Sequence, residues 1–420
     1  MGTGAFINER PFYEAQPESK SRRGIDLPLL VVMIALIVFG LVMLFSASWD
    51  YSLTEYGSPM YMFERQLMWL ALGLAAAFVF SRFDYHNWRK IIVPAMGLTI
   101  LLLVAVLFIN EIRLGAKRAL YQGSYQPSEL AKLISILYLS VWLYAKRQFL
   151  HDISLGLIPL GVILGVVGGL IYQQPDLSAA ATVFLIGGLL FFLAGADLKQ
   201  IALVLAAALA VGWLIVQINV TGHQRIADFI AGLKDPTQAS YHVQRSFEAL
   251  VNGGWFGVGI GRGQSKLTGL PVPPTDSIFA VIVEELGLFG ALFLIGLYAM
   301  IVWRGFVIAR RAPDMLGTIL ATGLVAWIGF EASINMAVMV GLLPFAGNAL
   351  PFVSAGGSNL VSSLAALGIV MNISRQRGEA VNDEEWRSYG AAIDLRGWNR
   401  RRRIPRPRRS AGAERQASGR

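Results

Sequence analysis

The stretch LPLLVVMIALIVFGLVMLFSASW, residues 27–49, runs without a single Asp, Glu, Lys, Arg or His. At 1.5 Å per residue a helix of this length is about 35 Å long, more than the roughly 30 Å of hydrocarbon in a bilayer. Lipid offers no partners to backbone N–H and C=O groups, so such a run has to be helical. It is too long for the apolar core of a secretory signal and has no small-residue cleavage site after it, so it reads as a permanent anchor.

The same reading extends outward along the chain. Further apolar runs lie near 66–82, 91–110, 129–145, 154–172, 177–195, 199–219, 276–303, 315–343 and 356–373. The expectation is an all-α integral membrane protein with ten transmembrane helices. Composition agrees: of 420 residues 55% are apolar and 15% charged, against roughly 25% charged in soluble domains. A soluble enzyme is excluded on these grounds. With no cysteine in the chain, disulfides, thiolate nucleophiles and cysteine-ligated metals are excluded as well. The four histidines are too scattered to suggest a metal cage.

An even number of spans puts both termini on one side, and Lys/Arg bias chooses the side. The arm, tail and loops on the side of the termini hold 26 Lys and Arg, whereas the opposite set, 50–65, 111–128, 173–176, 220–275 and 344–355, holds nine. Both termini are therefore expected in the cytoplasm. The domain reading is a cytoplasmic arm over 1–26, a membrane domain over 27–375 and a basic, disordered tail over 376–420. The tail's run RRRRIPRPRR, 400–409, suits anionic lipid headgroups. It lacks the aromatic interleaving of a nucleic-acid binder, and no nucleic-acid partner is expected.

The opposite, external side carries the chemistry. Its longest excursion, 220–275, mixes charges with WFGVGIGRG and LPVPPTD, and loops of that length are usually functional. Asp276 closes the second of these and precedes an apolar helix. It reads either as a helix cap, together with Thr275, or as a general base held at the membrane boundary. Glu284 and Glu285 lie roughly 12–13.5 Å deeper along the same helix. At about 80° and 180° around the axis from Asp276 they cannot both share its face. Buried acids at such depth either tie helices together or do chemistry, and Glu331 in the ninth span has the same two readings.

Lys117 and Arg118 run against the charge bias and would suit a phosphate-bearing headgroup. Glu129 and Lys132, three apart on the next helix, can pair locally or contribute to a binding site. Arg65 at the entrance of the second span either adds a cation or snorkels. Asp176 in the Gln174-Pro175-Asp176 turn reads as a cap. Ser354 and Ser358, in PFVSAGGS, belong either to an anion-binding nest or to a flexible turn that starts the last helix.

These stretches, taken in order, resemble the SEDS family (shape, elongation, division and sporulation). The matching pieces are GAKR (115–118), YQPSELAKL (125–133), QQPDLSAA (173–180), GGWFGVGIG (253–261), PPTDSIFAVIVEELG (273–287), NMAVMVGLLPFAGNALPFVSAGGS (335–358) and MNISR (371–375). The resemblance implies a ten-helix SEDS fold in the cytoplasmic membrane of a bacterium, working at its outer face in elongation or division. It implies an inverting glycosyltransferase that polymerises lipid II and expels undecaprenyl pyrophosphate. Asp276 would be catalytic, and Lys117, Arg118, Glu129, Lys132, Arg65, Ser354 and Ser358 would bind substrate. A divalent cation, Mg or Mn, would assist the departing pyrophosphate, although no dedicated metal site is visible. The implied partners are lipid II, membrane lipids and a class B penicillin-binding protein. Val272 and Pro274 stand where the family has an acid and a histidine, Ala119 and Leu120 where it has a tryptophan, and Ala355 where it has a tyrosine. A lipid II transporter and a non-catalytic scaffold of a cell-wall complex are the competing readings.

Overall fold

The computed structural model describes residues 24–108, 126–218 and 220–376. The arm before them, the GAKR stretch with Lys117 and Arg118, and the basic tail lie outside the described residues. Regular structure among the described residues is helical. The helices are α1 (Leu27–Tyr56), α2 (Tyr61–Arg82), α3 (Trp88–Phe108), α4 (Pro127–Lys146), α5 (Ile158–Gln173), α6 (Leu177–Leu193), α7 (Leu198–Ile218), α8 (Val220–Lys234), α9 (Tyr241–Gly253), α10 (Ile278–Arg310), α11 (Met315–Met339) and α12 (Gly357–Arg375).

Every expected span falls on one of these helices. Eight are long and apolar enough to cross a membrane, while the sixth and seventh runs form shorter apolar helices. Local chemistry sets the ends. Asp26 caps α1 by accepting a bond from the N–H of Leu29 at 3.0 Å, Pro28 occupies the first turn, and Gly57 ends the helix at φ +71°. Proline suits a first turn because its missing N–H would have had no partner there, and glycine suits the left-handed end because it has no Cβ.

The middle of the bundle is α4, buried almost without interruption from Pro127 to Tyr144 and packed against α3, α6, α11 and α12. Helices α2 and α12 pack closely because small residues meet: a Cβ on Gly368 would come within 2.5 Å of the Ala77 carbonyl oxygen. At one end of these two helices Asn372 ties the turn after α2. Its Nδ2 donates to the Ser81 carbonyl at 3.1 Å and its Oδ1 accepts from the Tyr85 N–H at 3.1 Å.

Residues 220–275, expected as one long loop, contain two helices. In α9 the buried positions Val243, Ser246, Ala249 and Gly253 recur every three or four residues, the mark of a one-sided helix. Polar residues are scattered through its sequence, YHVQRSFEALVNG, so no apolar run advertises it. The helix after Asp276 also departs from expectation. It holds non-helical backbone at Gly287, with φ +69° and ψ −168°, and the glycine-rich part of the loop packs onto that break.

Candidate active site

Helix α10 starts at Ile278, two residues past Asp276. Ser277 occupies the cap position without a side-chain cap bond, and its hydroxyl donates to the Pro271 carbonyl at 2.8 Å instead. Three successive carbonyls leading into the helix are each held from elsewhere. The Ala355 N–H donates to the carbonyl of Pro274 at 2.7 Å. The Ser354 hydroxyl donates to that of Thr275 at 2.6 Å, and Asn335 Nδ2 on α11 donates to that of Asp276 at 2.9 Å.

The Asp276 side chain is half-buried and lies against Gly347, where a Cβ would come within 2.8 Å of Oδ2. Its main chain is thus fixed by α11 and by the segment between α11 and α12. Both strands of this junction contain a left-handed residue other than glycine, Val272 at φ +43° and Phe352 at φ +69°. Such conformations persist only where the surroundings over-determine them, and they gather at functional sites.

Glu284 and Glu285 are buried and point to different partners. The Glu284 carboxylate accepts from the N–H of Gln264 at 3.0 Å, the N–H of Ser265 at 3.1 Å and the Ser265 hydroxyl at 2.9 Å. Glu285 meets Lys266 Nζ at 2.6 Å and the Ser46 hydroxyl of α1 at 2.7 Å. Backbone pairing completes the contact: Val258 and Gly259 donate to the carbonyls of Glu284 and Glu285, each at 3.0 Å, and Leu288 donates back to Gly254 at 3.0 Å. Glycine is required for this approach, since a Cβ on Gly257 would stand 2.2 Å from the Glu285 carbonyl oxygen. Both acids therefore fasten the loop that ends in Asp276.

Glu129 and Lys132 pair at 2.9 Å on α4, as their spacing suggests, and the pair extends across the bundle. Lys132 also bonds Glu331 of α11. Asn359 of α12 donates to Glu129 at 2.9 Å and to Glu331 at 3.1 Å. Lys132 is 1% exposed and Glu331 0%, so this polar cluster joins three helices away from solvent. Beside it Asp176 caps α6 through the Ala179 N–H at 3.1 Å and accepts from Gln126 Nε2 at 2.7 Å. Ser358 accepts from the Gln126 N–H at 3.2 Å.

Ser354 and Ser358 are both buried, and their hydroxyls bond the protein's own backbone. Arg65 is half-buried next to Gln66, whose Nε2 donates to the Ser354 carbonyl at 3.2 Å. Ser354 is thus tied to the turn before Asp276, through the Thr275 carbonyl. Glu129 and Lys132 belong to the interior cluster. A cavity of about 360 Å³ opens beside the Gly269–Pro273 approach, lined also by Asp50, Tyr51, Glu55, Tyr241 and Lys266.

Sequence reasoning passed over Asn335, Asn348 and Lys266. The two asparagines bond each other's neighbourhood, with Asn335 Nδ2 donating to the Asn348 carbonyl at 2.5 Å. A buried amide in an apolar run was the available signal. Lys266 was one basic residue among several in the long loop.

Known proteins fit this architecture. The profile of the cell cycle protein family FtsW/RodA/SpoVE matches residues 27–379. A probable peptidoglycan glycosyltransferase FtsW of Geobacter metallireducens is 37% identical over 358 residues, 84% of this chain and 96% of that protein. Stage V sporulation protein E of Bacillus subtilis is 32% identical over 83% of this chain and 97% of its own length. Among solved structures, one described as the structural coordination of polymerization and crosslinking by a peptidoglycan synthase complex superposes with a TM-score of 0.69 at 27% identity. It covers 84% of this chain and 98% of that one. The rod shape determining protein RodA of Thermus thermophilus superposes with a TM-score of 0.62 at 25% identity, over 84% and 98%. The helical bundle and the sequence over 27–379 are therefore those of a member of the FtsW/RodA/SpoVE cell cycle proteins, the SEDS family.

Proposed function

We propose that this chain polymerises lipid II into glycan strands at the outer face of the cytoplasmic membrane, with both termini inside. The observation that carries the reading is the held main chain of Asp276, with three consecutive carbonyls bonded beneath a half-buried carboxylate. A general base must sit within reach of the proton it takes, and a fixed backbone limits its wandering. In the reaction the carboxylate takes the proton of the acceptor sugar's 4-hydroxyl as that oxygen bonds to the donor's anomeric carbon. The bond from that carbon to the phosphate oxygen breaks, and the pyrophosphate leaves with the electron pair and its prenyl chain, giving inversion.

Lys117 and Arg118 would neutralise the charge developing on the leaving group, with Arg65 as a further cation. Among the described residues no three His, Asp or Glu side chains converge to hold a metal ion. The steps proposed here run through the chain's own groups, and an Mg or Mn ion would enter with the pyrophosphate. A class B penicillin-binding protein would crosslink the product; the solved relative described as coordinating polymerization and crosslinking supports that partner.

The test is polymer formation from lipid II by the purified protein with its partner present. Asp276→Ala is expected to cut turnover by about 10²- to 10⁴-fold, the usual worth of a general base, while lipid II still binds. Undiminished polymer from this variant would overturn the assignment. Faster lipid II movement across vesicles with no polymer from the wild type would favour the transporter instead.

A further inference from the structure

Asn335 is 1% exposed and sits on α11, far in sequence from the loop it serves. Its Nδ2 spends both protons on main-chain carbonyls, that of Asp276 at 2.9 Å and that of Asn348 at 2.5 Å. Asn348 in turn lies next to Gly347, the residue against the Asp276 carboxylate. One amide therefore fixes the base's own carbonyl and the segment its side chain rests on. The amide's orientation is chemically determined: reversed, its oxygen would face two carbonyl oxygens, an acceptor against acceptors. The second hold on the turn is independent. Ser354 donates to the Thr275 carbonyl at 2.6 Å while accepting from the Leu350 N–H at 2.8 Å.

Asn335 is also one turn beyond Glu331 on the same helix, and positions four apart share a face. Glu331 is bound to Lys132 of α4 and Asn359 of α12, so the rotation of α11 that presents Asn335 is set by an ion pair to one helix and a hydrogen bond to another. We propose that Asn335 is the positioning residue of Asp276, acting by clamping the Asp276 and Asn348 carbonyls together, with Ser354 as a second clamp. This rests on the polymerase reading above. It assigns these two side chains a task in the reaction without contact to substrate.

Three substitutions test it in the purified full chain with its partner, using lipid II as the probe. Asn335→Ala removes both donors. Asn335→Asp keeps the shape but replaces the donating amide with oxygen, setting acceptors against two carbonyls. Ser354→Ala releases only the Thr275 carbonyl. Displacing a reacting group by about 1 Å costs on the order of 10²-fold in rate. The expected result is a fall in kcat of about 10- to 100-fold for both Asn335 variants, a smaller fall for Ser354→Ala, and KM within about twofold of wild type. The limb of the pH–rate profile that depends on Asp276 is expected to move, which lower stability alone would not bring about. Wild-type kcat and pH profile in folded Asn335→Ala would overturn the inference. Should that variant not fold, Asn335→Asp and Ser354→Ala decide by the same readings, and unchanged kcat in whichever folds overturns it equally. No polymer from the wild type would strike the polymerase reading instead, which keeps the two failures apart.

Discussion

Lys266 of the long loop and Glu285 of α10 stand 2.6 Å apart inside the bundle, with Lys266 7% and Glu285 0% exposed. The loop that carries the proposed base is therefore pinned by an ion pair 19 residues long in sequence, closed onto α1 by Ser46. Burying two charges costs several kcal/mol each, and a pair that is kept must keep both members.

Removing one member should be worse than removing both. Lys266→Met leaves a buried carboxylate with only the Ser46 hydroxyl, and the expected loss is about 3–5 kcal/mol. The double variant Lys266→Met, Glu285→Gln is expected to recover most of it. Denaturant unfolding of the detergent-solubilised protein measures both, and equal losses for single and double variants would contradict the pairing.

Glycine substitutions separate close approach from helix propensity. Gly257 has φ +77° and no room for a Cβ, which would stand 2.2 Å from the Glu285 carbonyl oxygen. Gly257→Ala should destabilise by more than the roughly 1 kcal/mol at stake for a compatible site. Gly161 and Gly169 in α5 have open space within 4 Å, and their replacement by Ala should stabilise by about 0.5–1 kcal/mol each. Thermal unfolding midpoints compare them, and a tolerated Ala at 257 would mean the loop does not pack on α10 this way.

Acidification should loosen the seat of α9 on Phe345. His242 stacks on Phe345 with ring centroids 4.0 Å apart. Burial, aided by the nearby Arg225 charge, lowers its pKa below the ordinary 6.5. The folded state thus resists protonation more than the unfolded chain does. Its contribution to stability is complete above pH 6.5 and is lost as pH falls through the lowered folded value. His242→Phe keeps an aromatic ring and removes the proton. The stability difference between wild type and this variant, followed from about pH 7.5 to 5 across the ordinary histidine range, should change in that direction. A constant difference would show that His242 is not the titrating group.

The fold was readable because lipid forces long apolar runs into helices, and each of the ten runs coincides with one. Two kinds of feature were not. Helix α9 hides because polar residues are scattered through its sequence and break up any run, and the break at Gly287 hides because the stretch LGLFGALF, 286–293, reads as uninterrupted apolar helix. At the site, Asp276 stood out by its place after PPT. The cap position falls on Ser277, and the Ser277 and Thr275 hydroxyls bond within the turn, at Pro271 and Val272. Lys132 and Glu129 were legible as a local pair, but the third partner, Glu331, is 199 residues away, and spacing along one helix says nothing of that.

Gly347 offers the most direct check on how the base is seated. A Cβ there would come within 2.8 Å of Asp276 Oδ2, closer than real Cβ contacts allow, and the far end of the aspartate side chain is the part able to move. The Gly347 backbone has no left-handed φ, so an added methyl brings no conformational penalty of its own. Gly347→Ala should therefore fold normally while turning the carboxylate away from its place. Turnover is expected to fall by about tenfold or more, since general-base catalysis depends on hydrogen-bond reach to the proton. Lipid II polymerisation rates beside unfolding midpoints make the comparison. A variant as active and as stable as the wild type would mean that the Asp276 carboxylate works from somewhere other than the face of Gly347.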